Sequence, residues 1–515
     1  MLRRRRVPRL QQPQETRQSP RSPQSQKLRQ SQGPGRSQMP QQSQQLRQSQ
    51  RPRRRRRRWL AVLPAALILL LPTACGGGGD GGGPAATPAT GVPGDIVVAS
   101  GRDVTGKNGI RQRLIDAWNT EQEKAGTGFR ARLVELPGNA DEQRSQLLGA
   151  LQSGSAAYDV VNLDVTWVPE FAAAGVISPL PGSLLDKDVI PAVASTARWQ
   201  GEVYSAPFNS DVGLLYYRRD HLRQAGVERP DLAGGLDWPQ LKRLISTLDD
   251  HKPEGYEKGW TTQLAGYEGR TVNAVEAFAS AAGGEFALTD GDGHYDATVE
   301  ELTEGITELR RRTEAGTVLP DAFDSDEAAS LGDFAAGRTA FLRHWPYVYP
   351  ALHQSFPGGD RLGVTALPGR AVLGGQNLAV TAGSPRATKA AELIRYLTGR
   401  ESERCLLDAG FAATRTSAYT DDAVTCAVAA AAPSAAPTGE GADTVPRDAA
   451  GRPEYARDVL LPALRDAVHR PRTPLYGAFT QTFTTELGAL FADDPPGDAE
   501  LARRLDKALR RALPD

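Results

Sequence analysis

Hydrophobic positions along the chain follow two alternating periods. Residues 95–99 (DIVVA) form a short apolar run, the mark of a buried strand. Ile110, Leu114, Ile115 and Trp118 then recur at helical spacing, which predicts an amphipathic helix to about Lys124. A second strand is expected at 131–136. Asp141 is placed to cap a helix whose inner face is Leu147, Leu148 and Leu151. A third strand follows at 158–164 (YDVVNLD). The β-α-β-α-β order predicts an α/β fold with a parallel sheet, helices on its faces, and ligand outside the carboxyl ends of the strands. Asp164 stands at such an end, with Trp167 close behind.

Residues 204–217 (YSAPFNSDVGLLYY) depart from either period. The run is apolar enough to be buried, yet Asn209, Ser210 and Asp211 sit in its middle. An ionised Asp taken out of water costs several kcal/mol unless it finds a partner. The triplet therefore needs hydrogen-bonding company, from the protein or from a ligand. Alternation places Ser210 on the face opposite Asn209 and Asp211.

Beyond it the pattern predicts helices at 220–226, 273–282, 297–314, 387–397, 459–468 and 500–513, and another that Asp237-Trp238-Pro239 opens. Residues 170–181 read as a helix closed by Gly175 and followed by a Pro-rich turn. Strands are expected at 260–267, 362–366 and 377–381. Residues 339–349 (TAFLRHWPYVY) form a second aromatic-rich strand-to-turn element. Residues 427–448 are rich in Ala, Pro and Gly and read as a surface segment.

Composition changes the picture at the N-terminus. The whole chain balances 61 basic against 61 acidic residues, but residues 1–58 hold 17 arginines and one lysine against one acid, so the remainder is distinctly acidic. Residues 1–58 are an Arg/Gln/Ser-rich extension with almost no apolar content, and are expected to be disordered. A basic surface on the folded part, for nucleic acid or for anionic lipid, is not indicated.

Six arginines then precede a 13-residue apolar run, 59–71. A membrane-spanning helix needs roughly 20 residues, whereas a charged region, a short apolar region and small residues make an export signal. Residues 59–74 are read as that signal. Thr73, Ala74 and Cys75 resemble a bacterial lipobox, in which the cysteine carries the lipid, although Pro72 stands where an aliphatic residue is usual. Residues 75–94 form a Gly/Pro-rich tether. The length beyond Cys75 exceeds one compact core, so two lobes are expected.

Cys405 and Cys426 are the remaining cysteines, and outside the cytoplasm they most simply form one disulfide. No metal or cofactor is expected. The six histidines are scattered. Asp290-Gly-Asp292-Gly starts like a calcium loop, but His294 and Tyr295 break the spacing, so a tight turn is expected.

A site for an uncharged polyol needs aromatic planes for its C–H faces and planar polar groups for its hydroxyls, within an otherwise apolar pocket. The chain supplies these at the ends of elements: Asp164 and Trp167, Asn209 and Asp211, Tyr267 and Glu268, Trp345 and Tyr347, Gln376, and Arg415. Nucleophile-elbow, Walker and dinucleotide-binding motifs are missing. Paired carboxylates such as Asp164 and Asp211 could serve glycoside hydrolysis, but nothing singles out one as a proton donor.

A series of segments resembles the extracellular solute-binding proteins of bacterial carbohydrate ABC importers, most nearly the trehalose/maltose-binding branch of actinobacterial lipoproteins. They are YDVVNLDVTWVPEFAAAGVISPL, YSAPFNSDVGLLYYRRDHLRQAG, YEGRTVNAVEAFASAAGGE, FAAGRTAFLRHWPY, GVTALPG with LGGQNLAV, and RPRTPLYGAFTQTF. They run in order through nearly all of residues 95–490.

The resemblance implies two α/β lobes around a cleft, with crossings near 207–211 and 343–346. Residues 95–207 with 346–398 would form one lobe and 208–345 with 399–515 the other. It also implies that Asp164 and Asp211 bind sugar hydroxyls, that Trp345 and the backbone at Gly375 line the cleft, and that Arg415 is the family's cleft arginine. Gln376 replaces a frequent aromatic, and AATR at 412–415 replaces LPTR. The expected function is non-enzymatic. A receptor lipid-anchored on the outer face of the membrane would capture a disaccharide or oligosaccharide and deliver it to ABC permease subunits. The alternatives are a receptor for another polar solute such as a sugar phosphate, a sensor lipoprotein, or a glycosidase.

Overall fold

The computed structural model describes residues 91–102, 109–283, 286–356, 360–426, 428 and 444–513. The extension 1–58, the export signal 59–74, Cys75 and nearly all of the tether and of 427–443 lie outside these residues. Among the described residues no helix is long and apolar enough to cross a membrane.

The first sheet grows from the three apolar runs at the start. β1 (Asp95–Gly101) pairs in parallel with β2 (Arg130–Leu136) and with β3 (Val160–Asp164). The helices between them are Ile110–Lys124 and Ala140–Gln152, and Asn139 rather than Asp141 caps the second through a capping box with Glu142. A two-residue pair, β4 (Arg198–Trp199) with β5 (Glu202–Val203), precedes the next long strand. The unusual run at 204–217 becomes two strands, β6 (Ala206–Val212) and β7 (Leu214–Arg218), broken at Gly213. β6 closes the first sheet, whose order is β2-β1-β3-β11-β6, where β11 is Leu373–Val380. β11 runs antiparallel to β3 and β6, so the sheet is mixed.

β7 belongs to a second sheet, of order β10-β7-β9-β8, with β8 at Lys258–Thr261, β9 at Thr339–His344 and β10 at Leu362–Ala366. Residues 204–217 therefore contain a crossing between sheets. The chain returns through 367–372, between β10 and β11. A third passage runs beside it: Leu373 N donates to Val468 O (2.8 Å) and Val468 N to Ala371 O (2.9 Å). Past it, the helices Tyr476–Leu487 and Asp498–Ala512 pack with Glu268–Ala282 and Val299–Arg312.

The sheets divide the chain differently from the sequence reading. The sequence places β10 in the first lobe, within 346–398, but it pairs with β7 in the second sheet. The sequence places the helix Arg400–Asp408 in the second lobe, yet its Cys405 and Leu406 share a core with Ile110, Leu114 and Trp118 of the first. The turn at Trp345–Pro346 only ends β9, and the chain makes another strand before it crosses. Cys405 and Cys426 are disulfide-bonded. Asp290 Oδ1 accepts from the backbone of Asp292 and His294, both at 2.9 Å, so this segment is a tight turn.

Candidate functional site

A cavity of about 300 Å³ lies where the ends of β3, β6 and β11 face the helix Glu268–Ala282 and the turn after β9. Nine of the eleven binding candidates line it: Asp164, Asn209, Asp211, Tyr267, Glu268, Trp345, Tyr347, Gly375 and Gln376. Two do not. Trp167 immediately precedes the helix Val168–Ala173 as its N-cap, is buried, and stacks on Phe171 with centroids 6.5 Å apart. Arg415 donates to Thr398 O (2.7 Å) and to both oxygens of Asp186 (2.8 and 2.9 Å), away from the cavity. A larger cavity, about 590 Å³, abuts residues 467–472 but contains none of these aromatic candidates.

Glycines make the floor. Gln376 is opposite Asn209 across the β11–β6 pair, and Gly374 is opposite Asp211. Gly375 has φ +111°, and a Cβ there would approach Ser210 Cα to 2.6 Å. A Cβ on Gly374 would be 3.2 Å from Trp345 Cζ3, so the indole lies directly over the strand. Behind the indole, the Arg343 guanidinium stands 3.9 Å from a Trp345 ring centroid. Arg343 is itself paired with Glu276 (2.6 and 3.1 Å), and both are buried. Glu276 also accepts from Val372 N (3.2 Å). A Cβ on Gly213 would collide with this carboxylate and come within 3.0 Å of Arg343 Nη2. Glu276 and Arg343 thus sit where two crossings meet, and Gly213 makes room for them. Tyr216 Oη donates to Trp345 O (3.1 Å), fixing the turn that carries the indole.

The acids fall into two groups. Arg470, in the third crossing, donates to Asp164 (2.9 and 3.2 Å) and to Glu268 (2.6 Å). Glu268 also accepts from Thr480 Oγ1 (2.7 Å) and Tyr476 Oη, and Asp164 from Thr166 N (2.9 Å) and Oγ1 (2.8 Å). Burial raises the Glu268 pKa, with Arg470 pulling it back. Glu268 is also the first residue of its helix, where the backbone dipole favours an anion. Asp211 has no such circuit. Its Oδ1 is enclosed and has no hydrogen-bond partner among the described residues. Burial pushes its carboxyl up to about 8, opposed by Arg111 and reinforced by the Asp164 charge.

Sequence reasoning missed Arg470, Arg111, Glu327 and Phe411 as lining residues. Glu327 accepts from Tyr267 Oη at 2.8 Å. Arg111 had a signal, because it shares the stripe of Leu114, Ile115 and Trp118, where a charge is out of place. Arg470 had none beyond its place in a resembling segment.

A cleft of aromatic and planar polar groups between two sheets joined by crossings is the architecture of a capturing protein. Residues 117–432 match the family model described as bacterial extracellular solute-binding protein. The chain belongs to the bacterial extracellular solute-binding proteins. Relatives of this family are solute-binding proteins of ABC transporters, not enzymes. A probable ABC transporter-binding protein of Deinococcus radiodurans is 30% identical over 329 residues, covering 61% of this chain and 74% of that protein. Among solved structures, maltose-bound MalE3 of T. maritima is 20% identical with TM-score 0.64, covering 81% of this chain and 100% of that one. The GacH receptor of Streptomyces glaucescens, solved unliganded and with acarbose, is 20% identical with TM-score 0.64, covering 82% and 99%. These two share the two-lobed fold of the solute-binding proteins.

Proposed function

We propose that this solute-binding protein is a lipid-anchored receptor on the outer face of the membrane, held through Cys75, that captures a disaccharide or short oligosaccharide and presents it to an ABC permease. The carrying observation is the placing of Asp211 beside Trp345 across Gly374: a cleft-lining acid with an oxygen that has no hydrogen-bond partner among the described residues, next to an indole over bare backbone. A sugar ring satisfies both at once, its hydroxyls donating to the acid and its C–H face lying on the indole. The relatives bound to maltose and acarbose support the class. Arg470, which lines the same cavity, already holds Asp164 and Glu268, and this disfavours an anionic ligand such as a sugar phosphate. Ligand touching both lobes favours the closed arrangement, which is the form a permease can distinguish.

A thermal-shift screen against a carbohydrate panel tests this, because a ligand that binds only the native state raises Tm. At least one saccharide should raise it in the wild type and none in Asp211→Ala. If no saccharide shifts the wild type, the carbohydrate assignment is lost. If the unliganded Asp211→Ala protein is unfolded, Asp211 is a structural residue.

A further inference from the structure

The helix Ile110–Lys124 sets Arg111 on its buried face, with its guanidinium 5.4 Å from the Phe411 centroid and 5.9 Å from that of Phe208. Nη1 donates to Ser100 Oγ (2.9 Å) and Gly101 O (3.2 Å). Nη2 donates to Gln376 Oε1 (2.8 Å) and Asn209 Oδ1 (3.3 Å). An arginine can only donate. Both amides must therefore show it their oxygens and turn their NH₂ groups away. Asn162 Nδ2 donates to the same Gln376 oxygen at 2.7 Å, so Gln376 is fixed twice. Both amide residues line the cleft, and neither amide nitrogen is enclosed without a partner. Gln376 and Asn209 are cross-strand neighbours, and Asp211 lies two residues along on the same face as Asn209.

We propose that Arg111 is the positioning residue of the cleft floor: it holds Gln376 and Asn209 as two fixed N–H donors beside the Asp211 acceptor, and this set selects a ligand by the configuration of its adjacent hydroxyls. The proposal rests on the saccharide reading above. Neighbouring hydroxyls accept from the amides and donate to the acid. Inverting one carbinol centre moves its oxygen off the set and leaves a cleft N–H or the acid without a partner, the case in which polar sites discriminate strongly. An aromatic side chain at 376 would meet only the ring face and read configuration less. The floor therefore hydrogen-bonds what Trp345 stacks.

Calorimetric titration with pairs of disaccharides that differ at a single centre, cellobiose with lactose among them, tests this on the wild type, Arg111→Met, Arg111→Lys, Gln376→Ala and Asn209→Ala. The wild type should prefer one epimer by about tenfold or more. Arg111→Met and Gln376→Ala should weaken binding by about tenfold and bring the epimer ratio toward one. Arg111→Lys should not restore it, because one ammonium group cannot hold both amides in that geometry. A structural role alone would lower the unliganded Tm and leave the ratio intact, and that result overturns the proposal. If Arg111→Met does not fold, the two amide variants decide, since their side chains face the cavity. A wild type that binds saccharides without preference between epimers overturns the inference and leaves the saccharide reading standing. A wild type that binds none removes both.

Discussion

Asp164 and Glu268 share one cleft with Asp211, and the three acids differ in what surrounds them. The first two are closed into a circuit by Arg470, with Thr166, Thr480 and Tyr476 taking up further lone pairs. Asp211 is left with an enclosed oxygen that none of the described residues satisfies. An acid that the protein has satisfied adds order, and one left unsatisfied stores an unmet hydrogen bond for the ligand to supply. A cleft can therefore be rigid at one end and receptive at the other. On the receptor function proposed above, its stability and its affinity are then set by different residues.

The contrast is broken most severely at Arg470. Arg470→Met leaves two acids facing each other without their cation, and chemical denaturation should show a loss of roughly 3–5 kcal/mol. A loss below about 1 kcal/mol would mean that solvent, not Arg470, satisfies the pair.

Next in size is Asp211→Asn, which should act in the opposite direction. The folded protein holds the Asp211 proton more tightly than the unfolded chain does, since its pKa rises from 3.8 to about 8. The stability of the wild type should therefore fall as pH rises from about 4 toward 8. The Asn variant lacks that slope. It should be the more stable protein at pH 8, by roughly 1–3 kcal/mol after allowing for the open side of the cleft, and near-equal at pH 4. Glu403, also raised to about 8 by burial, contributes to both proteins and cancels in the difference. Parallel pH profiles would show that Asp211 ionises as an exposed acid does.

The smallest effect is expected from Glu268→Gln. Arg470 keeps Asp164, and the amide keeps its oxygen toward Arg470 and Tyr476 while its NH₂ faces Thr480 Oγ1, which can accept. Urea denaturation should register a loss of roughly 1–2 kcal/mol, smaller than that of Arg470→Met. An equal loss would place the whole circuit's worth on the Glu268 side.

The fold was readable because its early strands and helices announce themselves by period, and because the polar triplet at 209–211 interrupts an apolar run at the crossing itself. The strand-end residues Asp164, Asn209 and Asp211 were readable for the same reason. Trp167 was misplaced because closeness in sequence is not closeness in space: three residues past Asp164 the chain has turned into a helix whose first side chain packs inward. Arg415 rests on a family pattern, and here Asp186 holds it elsewhere. Arg470 reaches Asp164 across 306 residues, a pairing that no local period records. Gln376 was seen as the loss of an aromatic plane; its fixed orientation depends on Arg111 and Asn162, which come from two other elements.

The second and third crossings run as a hydrogen-bonded pair, joined at Leu373–Val468 and Val468–Ala371. One strap of extended chain can bend in any direction. Two straps laced edge to edge resist bending within their common plane and resist sliding past each other, and they yield most easily to bending across that plane and to twist about their length. If the two sheets close on a ligand as the proposed receptor function requires, the lacing reduces the paths open to them to a narrow arc, much as a strip hinge does for a door, and the ligand has a trajectory to stop and not a volume to search.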